Sequence, residues 1–155
     1  MPCTEWSKLN HLQLGRYSEY YAKMELASYG YEVYTSEVDD KGIDFVCRKM
    51  GGPFYEVQVK AVSGYNYTFM TKAHMKADSE DRLVCLLRFV DGNLPEVYLI
   101  PATAWLVPSA LLTSKDYDGK ESKPEWGINL SKKNMPLLQE FEISRTLEKQ
   151  SQAKE

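Results

Sequence analysis

Residues 51–65 read GGPFYEVQVKAVSGY, and the heptapeptide YEVQVKA at 55–61 decides the fold. Glu56, Gln58 and Lys60 fall on one parity, while Tyr55, Val57, Val59 and Ala61 fall on the other. A strand sends successive side chains to opposite faces, so the segment reads as β. One face packs, and the other carries an acid, an amide and an amine. That polar row either faces water or lines an active site.

Upstream, GIDFVCRK at 42–49 reads as a strand, MGG at 50–52 as a tight reversal, and PFYEVQVKAV at 53–62 as the returning strand of a hairpin. Before them, YEVYTSEV at 31–38 gives another strand and DDKG at 39–42 a turn. Residues 8–29, KLNHLQLGRYSEYYAKMELASY, form a helix with Tyr17, Tyr21, Met24 and Ser28 at helical spacing and Gly30 as its stop. Downstream, residues 72–81 are polar and read as a loop or a short helix. RLVCLLRFV at 82–90 is a buried strand, DGNLP a turn and EVYLIP at 96–101 a further strand. ATAWLVPSALL at 102–112 holds a short helix broken at Pro108, SKDYDGKESKPE at 114–125 is loop, WGINL a last strand, and 134–150 a closing helix. A helix, a block of strands and more helix make an α/β or α+β sandwich around a mixed sheet.

The chain has 155 residues, 43% hydrophobic and 26% charged, which suits one soluble domain with a sizeable core. That domain spans 1–155, with its core at 8–148 and a tail at 149–155 that frays. No stretch approaches the roughly 20 apolar residues of a membrane span, and the N-terminus lacks an apolar signal core. The three cysteines, Cys3, Cys47 and Cys85, form no CxxC pair, and the last two sit in apolar runs. A reduced, cytoplasmic setting is expected. The net charge of −3 argues against a broadly basic nucleic-acid-binding surface. The acidic excess nevertheless lies at 78–111, which holds two Lys/Arg against five Asp/Glu, and not around the opening motif.

On the hairpin, Asp44 approaches Gln58 and Lys60. Hard cations such as Mg²⁺ take oxygen ligands, and Asp44, the Gln58 side-chain oxygen and the Val59 carbonyl supply such a set. Lys60 beside them is placed to orient or deprotonate a water and to stabilise charge on a phosphate. The order of GRYSEYYAKMELASYGYEV on a helix, then GIDFV, then VQVK, resembles the PD-(D/E)XK nuclease superfamily, the restriction-endonuclease-like fold, over residues 10–62. PEVYLIPATAW resembles, more weakly, a small bacterial branch of it. The resemblance implies a three-layer sandwich with a central mixed sheet flanked by helices. It also implies an endonuclease using Mg²⁺, with Mn²⁺ able to substitute, acting on nucleic acid and on DNA by preference. It assigns Glu19, Asp44, Gln58 and Lys60 as catalytic, with Glu19, Asp44, Gln58 and the Val59 carbonyl at the metal. Gln58 replaces an acid and Ile43 replaces the motif's Pro; Glu56 offers itself as a water-mediated ligand in compensation.

Tyr65, Tyr67, Lys72, Lys76 and Arg16 are candidate nucleic-acid contacts, the tyrosines by stacking on bases. Plainer readings stand beside these. Glu19 pairs with Lys23 on a helix surface, Asp44 accepts in a turn, Lys60 snorkels from a sheet edge, and aromatics at period two pack a strand. A catalytically inactive nuclease-fold member, binding nucleic acid or protein, is the alternative function. A homodimer remains open.

Overall fold

The computed structural model of the chain describes residues 1–37 and 42–153. The turn expected at 39–42 lies outside them except for Gly42, as do the last two residues of the tail. Among the described residues three α-helices, α1 (His11–Ser28), α2 (Met135–Gln139) and α3 (Ile143–Ala153), accompany eight strands. These are β1 (Glu32–Thr35), β2 (Phe45–Arg48), β3 (Tyr55–Ser63), β4 (Tyr67–Thr71), β5 (Arg82–Phe89), β6 (Glu96–Pro101), β7 (Leu112–Lys115) and β8 (Glu125–Asn129).

The opening helix starts later than the sequence suggests, because Asn10 caps it. The Asn10 side chain accepts from the Gln13 amide at 2.8 Å, and the Asn10 amide donates to Gln13 Oε1 at 2.9 Å. Its buried stripe is Ser18, Ala22 and Leu26, flanked by Tyr17 and Tyr21, while Met24 is exposed. Small residues at 18 and 22 let the helix axis approach the sheet, which a Met-centred face would prevent. Gly30, at φ 88°, turns the chain into β1.

β2 and β3 form the expected antiparallel hairpin, with Phe45 opposite Val57 and Cys47 opposite Tyr55. β3 then pairs in parallel with β5, and β5 antiparallel with β6, giving the mixed sheet order β1-β2-β3-β5-β6. This is the α/β sandwich on a central mixed sheet that the resemblance implies. One face carries α1 and α3 over a core that includes Leu26, Phe45, Val57, Leu83, Leu87 and Leu147. The other face carries a second, three-stranded sheet of order β4-β8-β7, with a 3-10 helix at Ala102–Leu106 and α2.

That second sheet is where local sequence misled. β7 lies across the expected boundary between helix and loop, and LTSK has no apolar alternation to announce it. The aromatics of 65–69 do pack a strand, β4, but on the second sheet. The closing helix is two helices. Between them the Phe141 carbonyl accepts from the Leu99 amide at 2.8 Å, and the Thr146 hydroxyl donates to the Leu99 carbonyl at 2.6 Å, so α3 is docked on β6. α3 also runs on to Ala153, through most of the segment expected to fray. Cys47 and Cys85 are buried, and burial pushes the Cys47 thiol up to about 12, which leaves it inert.

Candidate functional site

The hairpin builds the site. Asp44 stands one residue before β2; its amide donates to the Val57 carbonyl at 2.9 Å, and its Oδ2 accepts from the Val59 amide at 2.7 Å. Asp44 is therefore tied to β3. Since the N–H and C=O of one strand residue point the same way, the Val59 carbonyl is aimed toward Asp44's side of β3. Gln58 turns to the opposite face of the sheet from Val57. It is 8% exposed, and its Oε1 is buried with no hydrogen-bond donor among the described residues. Gly42 passes directly against it: a Cβ there would lie 3.2 Å from Gln58 Nε2 and 3.4 Å from Oε1. At φ 73°, Gly42 also adopts backbone that other residues resist. Lys60 follows two residues on, half-buried, on the same face as Gln58.

That face opens into a cleft of about 280 Å³ between Gln58, Lys60, β4 and His74. A second hollow of about 360 Å³, lined by Ile43, Glu56, Lys76 and Arg82, meets the first at His74. Arg82 is a residue that the sequence reading passed over. It is buried, donates to the His74 carbonyl and pairs with Glu56 at 3.8 Å. Burial lowers its pKa, while the carboxylates of Glu56 and Asp44 push it back up. Its guanidinium thus brings positive charge to the Asp44 end of the sheet. The available signal was an arginine heading the otherwise apolar run RLVCLL. Glu56, offered as a water-mediated ligand, is engaged with that arginine.

The remaining candidates divide. Glu19 is on α1 with Arg16 at 3.2 Å, so the helix pair forms with the residue three before it and not with Lys23. Lys23, one turn later on the same helix face, donates to Thr35 at 3.0 Å and lies 5.9 Å from the Phe45 ring, next to Asp44 in sequence. Arg16 is exposed and reaches Glu19. Lys76 lines the second hollow and Tyr67 the first. Lys72 leads away: it binds Asp116 at 2.7 Å and sits 3.9 Å from the Trp126 ring centroid. Tyr65 is exposed under Arg88, whose guanidinium is 4.5 Å from its ring centroid. Burial, then a hydrogen bond to Glu125, raises the Tyr67 hydroxyl pKa, so it stays protonated.

A carboxylate, a buried amide oxygen with no donor among the described residues and a main-chain carbonyl are hard oxygen donors, the chemistry that a divalent cation takes. The set rests on one carboxylate; among the described residues no three His, Cys, Asp or Glu side chains gather into a metal-binding group. Among them, too, no helix is long and apolar enough to cross a membrane.

No family model matches the chain, and no curated protein matches it. Among solved structures, it is similar to Hjc, a Holliday junction resolvase of Archaeoglobus fulgidus, at 12% identity and a TM-score of 0.49, over 79% of this chain and 88% of that one.

Proposed function

We propose that the chain is a divalent-metal-dependent nuclease, hydrolysing phosphodiester bonds in nucleic acid, DNA by preference, in the cleft over β3. What supports the reading is the buried Gln58 Oε1, which has no donor among the described residues and packs against Gly42, two residues before Asp44. Leaving such an acceptor unsatisfied costs about 1–3 kcal/mol, a cost that a ligand would remove.

Asp44, Gln58 Oε1 and the Val59 carbonyl would hold the cation, Mg²⁺ with Mn²⁺ substituting, and Glu19 would complete an outer or second position. The bound cation would supply a Lewis acid and an acidified water. Lys60 would orient that water and offset the charge gathering on the phosphate, in a cleft where its ammonium is half-shielded from solvent. Arg82, buried behind Asp44 and Glu56, would keep the floor from becoming purely anionic. A cytoplasmic setting and a homodimer belong to the same reading.

One observation favours a second reading, in which the fold binds nucleic acid or protein without cutting: Gln58 stands where the motif has an acid, leaving Asp44 as the one carboxylate of the hairpin's ligand set while Glu56 pairs with Arg82. Calorimetric titration of Mn²⁺ into wild type and Asp44→Ala separates the two. Heat in the wild type that vanishes in the variant, with metal-dependent cleavage lost alongside it, is the expected result. Cleavage that survives Asp44→Ala, or none in wild type with any nucleic acid and metal, overturns it.

A further inference from the structure

The cleft has a second wall that the hydrolytic reading does not use. β4 is an edge strand of the second sheet, and it alternates inward Thr68 and Met70 with outward Tyr67 and Phe69. Tyr67 and Phe69 stand side by side, with ring centroids 6.2 Å apart and planes within 23° of each other. Both remain substantially exposed, at 37% and 45%, although each borders the cleft that contains Lys60.

The Tyr67 ring is fixed in place. It lies across Gly127 on the neighbouring strand, where a Cβ would come within 2.6 Å of Cε2. Its hydroxyl donates to Glu125, which also accepts from Tyr117 at 3.0 Å. Burying a carboxylate under two tyrosines and keeping a bare glycine beneath a ring hold that ring flat. Lys115 places its ammonium 4.2 Å from the ring centroid.

The edge of β4 adds a third element. The Lys72 amide bonds the Pro124 carbonyl across the β4–β8 ladder. Antiparallel pairing alternates, so the main-chain groups of Tyr67 and Phe69 point away from β8, toward the cleft side. The exposed Phe69 ring beside Tyr67, the outward main-chain groups and the Lys60 ammonium in the cleft make a track for a stacked base and its phosphate, with Lys115 over the Tyr67 ring. A cleft of about 280 Å³ has room for one nucleotide and not for a duplex. Paired bases would also present no free face to the rings.

We infer that the ligand of this cleft is a single-stranded segment of nucleic acid, whose base stacks on Phe69, beside Tyr67, while the adjoining phosphate lies toward Lys60. This rests on the proposed nuclease site for the fate of the phosphate, but not for binding.

The test is fluorescence anisotropy in chelator, without metal, using a labelled single-stranded DNA, the same sequence as RNA, and the DNA duplex. Single strands should bind at least about tenfold more tightly than the duplex, and Phe69→Ala should lose about tenfold or more of that affinity. Phe69→Tyr, which keeps a ring, should retain it, and thermal melts of both variants guard against unfolding. The DNA and RNA arms show which sugar is accepted, and a preference for either supports the inference. Equal or tighter duplex binding, no binding to any of the three, or a folded Phe69→Ala that binds like wild type overturns it. Because no metal is present, loss of the Mn²⁺ signal or of cleavage sinks the nuclease reading while leaving this result intact, and the reverse also holds.

Discussion

The two faces of the central sheet are built differently. On the helix side, core residues run from β2 through β3 and β5 to β6, as in Phe45, Val57, Cys85 and Leu99, all fully buried. On the other side, the second layer covers β5 and β6 through Val84, Leu86, Tyr98 and Ile100, but takes from β3 only Val62. Glu56, Gln58 and Lys60 therefore sit at the border of that layer, in a cleft. The same strand is core on one face and candidate site on the other. Polar side chains survive at the centre of a sheet where the covering layer is displaced by two strands, and they then acquire a cavity.

Three substitutions press on that contrast. Phe45→Ala empties the helix-side core directly beneath the candidate site and should cost about 3–5 kcal/mol in urea unfolding. A loss below about 1 kcal/mol would mean that the helix face is not the continuous core described. Gly42→Ala, on the cleft side, meets both the positive φ and the Gln58 amide, and should cost roughly 1–2 kcal/mol. Its Mn²⁺ affinity should fall as well, because the Gln58 side chain must move. Gln58→Met has the smallest expected effect on stability. It removes a buried acceptor that has no donor, so the metal-free protein should be unchanged or more stable by up to about 1 kcal/mol. Binding of Mn²⁺ should nonetheless disappear. A clear loss of stability in chelator would instead make Gln58 a structural residue, and the two faces would then differ less than they do here.

Much of this was legible in the sequence because it is local. The parity of YEVQVKA, the glycine-rich reversal and the apolar run of β5 each specify an element from a few residues. The nearness of Asp44 to β3 follows once the hairpin is recognised. What was hidden depends on distant partners. Nothing in LTSK announces β7, which exists because β8 offers it an edge. The 134–150 segment has helical character throughout, yet Leu99 of β6 takes a main-chain bond at Phe141 and breaks it. Lys72 and Lys76 look equivalent in TKAHMKAD, but Asp116, 44 residues away, captures only the first. Arg82 looks like the polar start of a strand until Glu56 and the His74 carbonyl are placed around it.

The tie from Asp44 to Val59 spans 15 residues of chain, whereas that from Tyr67 to Glu125 spans 58. Closing the shorter loop costs less chain entropy and needs only one hairpin to form. The Asp44 end of the hairpin can therefore assemble early in folding, from a fragment of the molecule. The aromatic wall must wait for β8, whose Glu125 follows Tyr67 by 58 residues. A nascent chain would thus hold the Asp44–Val59 tie before it holds the Tyr67–Glu125 wall.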